Sequence, residues 1–166
     1  IFINSGYALF NDSLRYFTET PKISFLNKDD TLNINSEIVF SKKNILISHK
    51  DVKIISKNLI GKCDSLSFNQ NDSLIKLYGS PVIWAGGYQV TSDTIILTYF
   101  DNEIKNFYLP NNPFICFKSD TTIFNQIKGN EISGTFFQNI LQKINVLSQG
   151  ESIYLVKESN KNIGLN

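Results

Sequence analysis

The chain of 166 residues is short of most things that chemistry at a site needs. It has one histidine, His49, and two cysteines, Cys63 and Cys116. A single imidazole excludes a pair of histidine metal ligands, and no Gly-x-Ser-x-Gly elbow is present to support a Ser–His relay. Two cysteines are too few for the disulfide framework of a small secreted domain, and their spacing leaves open whether they pair. The net charge of +1 gives no long-range attraction to nucleic acid or acidic lipid, so no nucleic-acid partner is expected. No apolar run approaches the roughly 18–20 residues of a membrane-crossing helix. Methionine is missing altogether and the chain begins Ile-Phe-Ile-Asn, so a mature form or the ordered part of something longer is expected. A signal sequence is therefore not expected within it.

What is present is strand chemistry. Thirteen Phe and seven Tyr stand among abundant Ile, the residue types that fit a pleated surface. A short pattern recurs: a small or polar residue, then apolar residues two and four places later. Asp64-Ser65-Leu66-Ser67-Phe68 and Asp93-Thr94-Ile95-Ile96-Leu97 are the clearest copies, with weaker ones starting at Gly6, Ser36 and Asn130. The first positions are 30, 28, 29 and 37 residues apart. Such a period means one supersecondary unit used repeatedly, and period-2 alternation makes that unit a pair of strands. A second frame repeats after it. Gly79, Asn111 and Gly150 are turn formers with apolar residues four before and three and five after, where a strand bends and continues.

These patterns predict an all-β fold of stacked, bent antiparallel strands, a sandwich or jellyroll, in one domain over residues 1–158 with a polar, frayed tail over 159–166. Hairpins are expected around Asn11-Asp12-Ser13, Asn27-Lys28-Asp29-Asp30, His49-Lys50-Asp51, residues 69–73, Gly86-Gly87 and Asp101-Asn102-Glu103. Residues 136–147 fit a helical face about as well, but the repeat predicts a hairpin there. Alternation yields two apolar sets. One holds Leu66, Phe68, Ile95, Leu97, Tyr99 and Ile132; the other holds Ile75, Leu77, Val82, Trp84, Phe107, Leu109, Phe114 and Ile153. Facing one another, they would form the interior.

No catalytic constellation emerges. Asp64 and Asp93 on neighbouring repeats could make a calcium ladder or a glycosidase pair. Their counterparts are Gly6, Ser36 and Asn130, so a strand-entry turn explains the slot better. The chain is read as a non-enzyme without cofactor or metal.

The run Cys63-Asp64-Ser65-Leu66-Ser67-Phe68, then Leu77-Tyr78-Gly79-Ser80-Pro81-Val82-Ile83-Trp84, then Asp93-Thr94-Ile95 resembles the OstA-like proteins of the LptA family. So do Phe124-Asn125-Gln126-Ile127-Lys128-Gly129-Asn130 and Ile153-Tyr154-Leu155-Val156-Lys157-Glu158, and the match is nearest to the Bacteroidetes branch. The resemblance covers residues from about 59 to 158. It implies an open β-jellyroll in the periplasm whose apolar groove carries lipopolysaccharide by its lipid A acyl chains toward the outer membrane. It implies partners of the same fold docked end to end through terminal strands, self-association included. The groove it implies is lined by Leu66, Phe68, Leu77, Val82, Trp84, Ile95, Leu97, Tyr99, Phe107 and Phe114. The alternative is a structural β-repeat of a cell-envelope protein with a closed core and no lipid ligand; a carbohydrate-active β-solenoid ranks last.

Overall fold

The computed structural model describes residues 1–26, 30–100, 103–119, 123–137, 140–158 and 161–165, with side chains described as far as Tyr154. The turns expected at residues 27–29 and 101–102 lie outside the described residues, as do residues 159, 160 and 166 of the expected tail.

Among the described residues, ten long strands run back and forth, each bending at a corner near its middle. The first four are β1 (Phe2–Asn4) with β2 (Tyr7–Phe10), β3 (Arg15–Thr18) with β4 (Lys22–Leu26), β5 (Thr31–Asn35) with β6 (Ile38–Lys42), and the unbroken β7 (Ile45–Ile55). Next come β8 (Leu59–Asn69), also unbroken, β9 (Leu74–Tyr78) with β10 (Val82–Ala85), and β11 (Tyr88–Thr91) with β12 (Thr94–Phe100). The last are β13 (Glu103–Leu109) with β14 (Phe114–Lys118), β15 (Phe124–Lys128) with β16 (Glu131–Phe137), and β17 (Ile140–Ser148) with β18 (Glu151–Ile153). A separate antiparallel pair, β19 (Leu155–Glu158) and β20 (Lys161–Leu165), follows.

The halves assemble into two antiparallel ladders. Ladder I is β2-β3-β6-β7-β8-β9-β12-β13-β16-β17, and ladder II is β1-β4-β5-β7-β8-β10-β11-β14-β15-β18. They share β7 and β8, so one sheet is folded on itself into the all-β jellyroll expected. Residues 136–137 and 140–147 lie in the paired strands β16 and β17 rather than in a helix.

The corners are of two kinds, and the two repeated sequence frames mark all but those at Glu19-Thr20 and Lys50-Asp51. Corners running from ladder I to ladder II carry left-handed residues: Glu19 and Thr20, Lys50 and Asp51, Gly79 and Ser80, Asn112, and Gln149, all with φ between 45° and 74°. Alternation passes through them unbroken, so Ile75 and Leu77 before the corner share the buried face with Ile83 and Ala85 after it. At Gly79 a Cβ would collide with the Asp64 carboxylate, which adds a packing demand to the positive φ. Corners running the other way pass through Gly6, Ser36, Asp64, Asp93 and Asn130, and there the alternation slips by one: Val90 is buried before the corner, Ile95 and Leu97 after it. Backbone bonds tie the two kinds together, including Asp93 N donating to Asn111 O at 3.1 Å and Asn130 N to Ser148 O at 3.0 Å.

One expectation fails here. His49-Lys50-Asp51 is no hairpin turn; β7 runs through it with a bulge between His49 and Val52. The polar triplet supplies a corner in mid-strand, and His49 stands exposed on the outer face.

The two inner faces pack on each other. Phe25 of ladder II meets Phe68 and Tyr99 of ladder I at centroid distances of 5.1 and 5.4 Å, edge to face. One inner row of ladder I can be followed strand by strand: Ala8, Phe17, Val39, Ser48, Leu66, Leu77 and Ile95, continued by Leu109, Ile132 and Val146. From Val39 to Ile132 every member is at most 1% exposed, whereas Val146 is 38% exposed. Each such aliphatic side chain contributes roughly 1.5–3 kcal/mol of burial.

Candidate functional site

The expected lining residues divide by face. Leu66, Phe68, Leu77, Ile95, Leu97, Tyr99 and Phe107 point inward and are buried. Val82, Trp84 and Phe114 point outward; on their strands the inward residues are Ile83, Ala85 and Ile115. The expectation placed the interior at three and five residues after each turn former. The left-handed corner does not shift the alternation, so the buried positions fall at four and six after Gly79. Trp84 is held on the outer face by its indole Nε1, which donates to Gln89 Oε1 at 3.0 Å.

In the middle of the molecule the inner faces touch, and the described side chains between them are buried. At the C-terminal end they part. A cavity of about 440 Å³ opens there, lined by Tyr88, Phe117 and Ile127 of ladder II and by Leu141, Ile144 and Val146 of ladder I. Tyr88 lies on Phe117 at 4.9 Å and Phe117 meets Tyr154 at 6.1 Å, so an aromatic wall faces an aliphatic one. Lys143 and Glu151 stand at the rim. The sequence reading did not assign Tyr88, Phe117 or Ile144 to the interior. Their signal was the period-2 phase of Val90, Ile115 and Val146, once the corner phase and the bulge between Leu141 and Ile144 are known. At the N-terminal end the inner face is likewise uncovered: Phe10 is 65% exposed, with Phe17 against it edge to face at 5.8 Å.

The ionisable groups supply structure. Burial pushes the Cys63 thiol up to about 12 and Cys116 also upward, which keeps both as thiols rather than reactive thiolates. They are free, with Cys63 on the inner face and Cys116 on the outer. Burial, with Asp30 nearby, pushes the Tyr99 hydroxyl up to about 12, and that hydroxyl has no hydrogen-bond partner. Asp93 accepts from Asn112 Nδ2 at 2.7 Å, and Asp64 abuts Gly79: each acid serves the corner beside it. Among the described residues, no three His, Cys, Asp or Glu side chains come together as a metal site.

No protein-family model matches the chain, and no curated protein matches it in sequence. Among solved structures it is similar to LptH, described as the LptA-homologous periplasmic component of the conserved lipopolysaccharide transport device from Pseudomonas aeruginosa. The TM-score is 0.53 over 85% of this chain and 94% of that one, with 10% sequence identity. At that identity the likeness shows the fold, an LptA-like jellyroll.

Proposed function

We propose that the chain is a periplasmic carrier module that passes lipopolysaccharide along its apolar inner face toward the outer membrane. One observation carries the reading: among the described residues the inner row is apolar almost throughout and exposed at both ends, where a neighbouring module of the same fold would continue it. The free edges β1–β2 and β17–β18 are the strands such a neighbour would extend. Sequestering an acyl chain of about 14 carbons is worth roughly 10 kcal/mol, and a series of similar rows lets the chain advance without a large drop in energy. This needs no cofactor and no catalytic group.

The packed middle favours a second reading, a closed structural β-repeat that binds no lipid. A photo-crosslinking residue at Ile144, on the wall of the C-terminal cavity, separates the two. The carrier reading expects a lipopolysaccharide adduct in cells from Ile144 and none from Lys76 on the outer face. A folded, exported protein that gives no adduct from Ile144 establishes the closed repeat instead.

A further inference from the structure

We propose that a cleft on the outer lip of ladder II, around Trp84, is an additional acyl-chain site, with Lys57 receiving the anionic head of a single-chain amphiphile. The inference rests on the carrier reading and adds a lateral place where a chain is taken up.

The cleft has a volume of about 840 Å³, the size of a small-molecule site. Its floor is a cross-strand row on the outer face, Ile55 beside Ile60 beside Trp84. These three are 44%, 51% and 37% exposed, and Phe124 at 50% closes the far side. Exposed apolar side chains in a contiguous concave patch, rather than scattered singly, mark a binding surface. The Trp84–Gln89 bond fixes the indole as a rigid wall.

The charged part of the cleft lies at one end and selects the head. Lys57 is the one charged residue among the described lining residues, and no carboxylate lines the cleft. Asp30 lies behind this corner, its Oδ1 accepting from the backbone N–H of Lys57 at 3.0 Å and of Thr31 at 2.7 Å.

The cleft also turns inward. Its wall passes round the Gly86-Gly87 tip of the β10–β11 hairpin to Ala85, Tyr88 and Ile140. A Cβ at Gly86 would lie 3.7 Å from Ile140 Cγ2, and a Cβ at Gly87 would meet nothing within 4 Å, so the tip is thin. Tyr88 lines both this cleft and the C-terminal cavity. A chain too long for the cleft bends round the tip and meets the inner wall at that ring.

Trp84 is the only tryptophan, so its native fluorescence reads the cleft directly. Dibromostearate titrated into the full chain is expected to quench Trp84 saturably, and dibromostearyl alcohol, which lacks the charge, to bind about tenfold more weakly. Lys57→Gln should erase the difference between the two probes. Ile60→Glu, at an exposed position, should weaken quenching tenfold or more, while Ile47→Glu on the outer face of ladder I should leave it unchanged. Equal quenching in Ile60→Glu overturns the site. Saturable binding of radiolabelled stearate without quenching overturns it too, but leaves the carrier reading standing. Binding of no acyl probe by either readout overturns both.

Discussion

The inner face of ladder I is one surface in two conditions. Leu77 and Ile132 are completely buried in mid-row; Val146, directly opposite Ile132 on the next strand, is more than a third exposed. Chemistry and facing are the same. What differs is the neighbour: Leu77 has strands on both sides and ladder II above it, whereas Val146 sits on the last strand, where the ladders part. The comparison teaches that burial here is conferred by position along the stack. A partner strand added to β17 would convert the end into more of the middle.

The strongest way to break the comparison is to put the same charge in both places. Leu97→Asp buries an unpaired carboxylate and should cost about 4 kcal/mol or more, enough to unfold a marginal domain. Val146→Asp, with water at hand, should cost about 1 kcal/mol or less. Urea denaturation of the two variants measures the gap; equal midpoints would mean that the middle is as open to water as the end.

A smaller effect sharpens the boundary between the regions. Gly134 lies under the Phe107 ring, where any Cβ would also strike the Lys143 carbonyl. This close approach lets Phe107 reach Phe136 at 5.6 Å. Gly134→Val is expected to destabilise by about 1–3 kcal/mol through overpacking, with thermal unfolding as the check. It should also raise binding of an apolar dye, because β17 is pushed off and the end widens.

At neutral pH the smallest effect belongs to Tyr99, whose part is alkaline. Tyr99 is neutral in the folded chain up to about pH 12 but ionises near its ordinary value of 10 when unfolded. The unfolded state then holds fewer protons, so stability is whole below pH 10 and falls between about 10 and 12. Cys63, raised from 9 to about 12, adds to the fall from pH 9 upward. Tyr99→Phe should flatten its share of that loss and cost little at neutral pH, since the hydroxyl has no partner to lose. A denaturation series across pH 8.5–11.5, about the range a folded domain tolerates, tests it.

Strand positions were legible because alternation and turn residues act locally. Asn11, Asn69 and Gly86 all lie at or beside strand ends. Most corner positions were legible too, as the two repeated frames, but those at Glu19-Thr20 and Lys50-Asp51 were not. What local pattern could not supply was how alternation behaves across a corner. Trp84 and Val82 look like core residues by composition, and only the backbone at Gly79-Ser80 shows that the phase runs through to Ile83 and Ala85. The Lys50-Asp51 corner misled in the opposite sense: a polar triplet that reads as a hairpin is a bulge inside β7 because Val52 and Ile54 keep the phase of Leu46 and Ser48. The C-terminal cavity was the least legible, since it arises where the stack stops rather than from any motif.

The two corner types have a consequence for how such a chain can change length. Because phase is carried through one kind and shifted at the other, a single residue inserted in a limb would turn every side chain beyond it inside out as far as the next hairpin. An insertion at a hairpin tip, such as residues 69–73, disturbs no phase at all. Removing or duplicating one outward limb together with its return keeps both corner columns in line. The molecule is therefore free to lengthen by whole pairs of strands and resistant to lengthening by anything less.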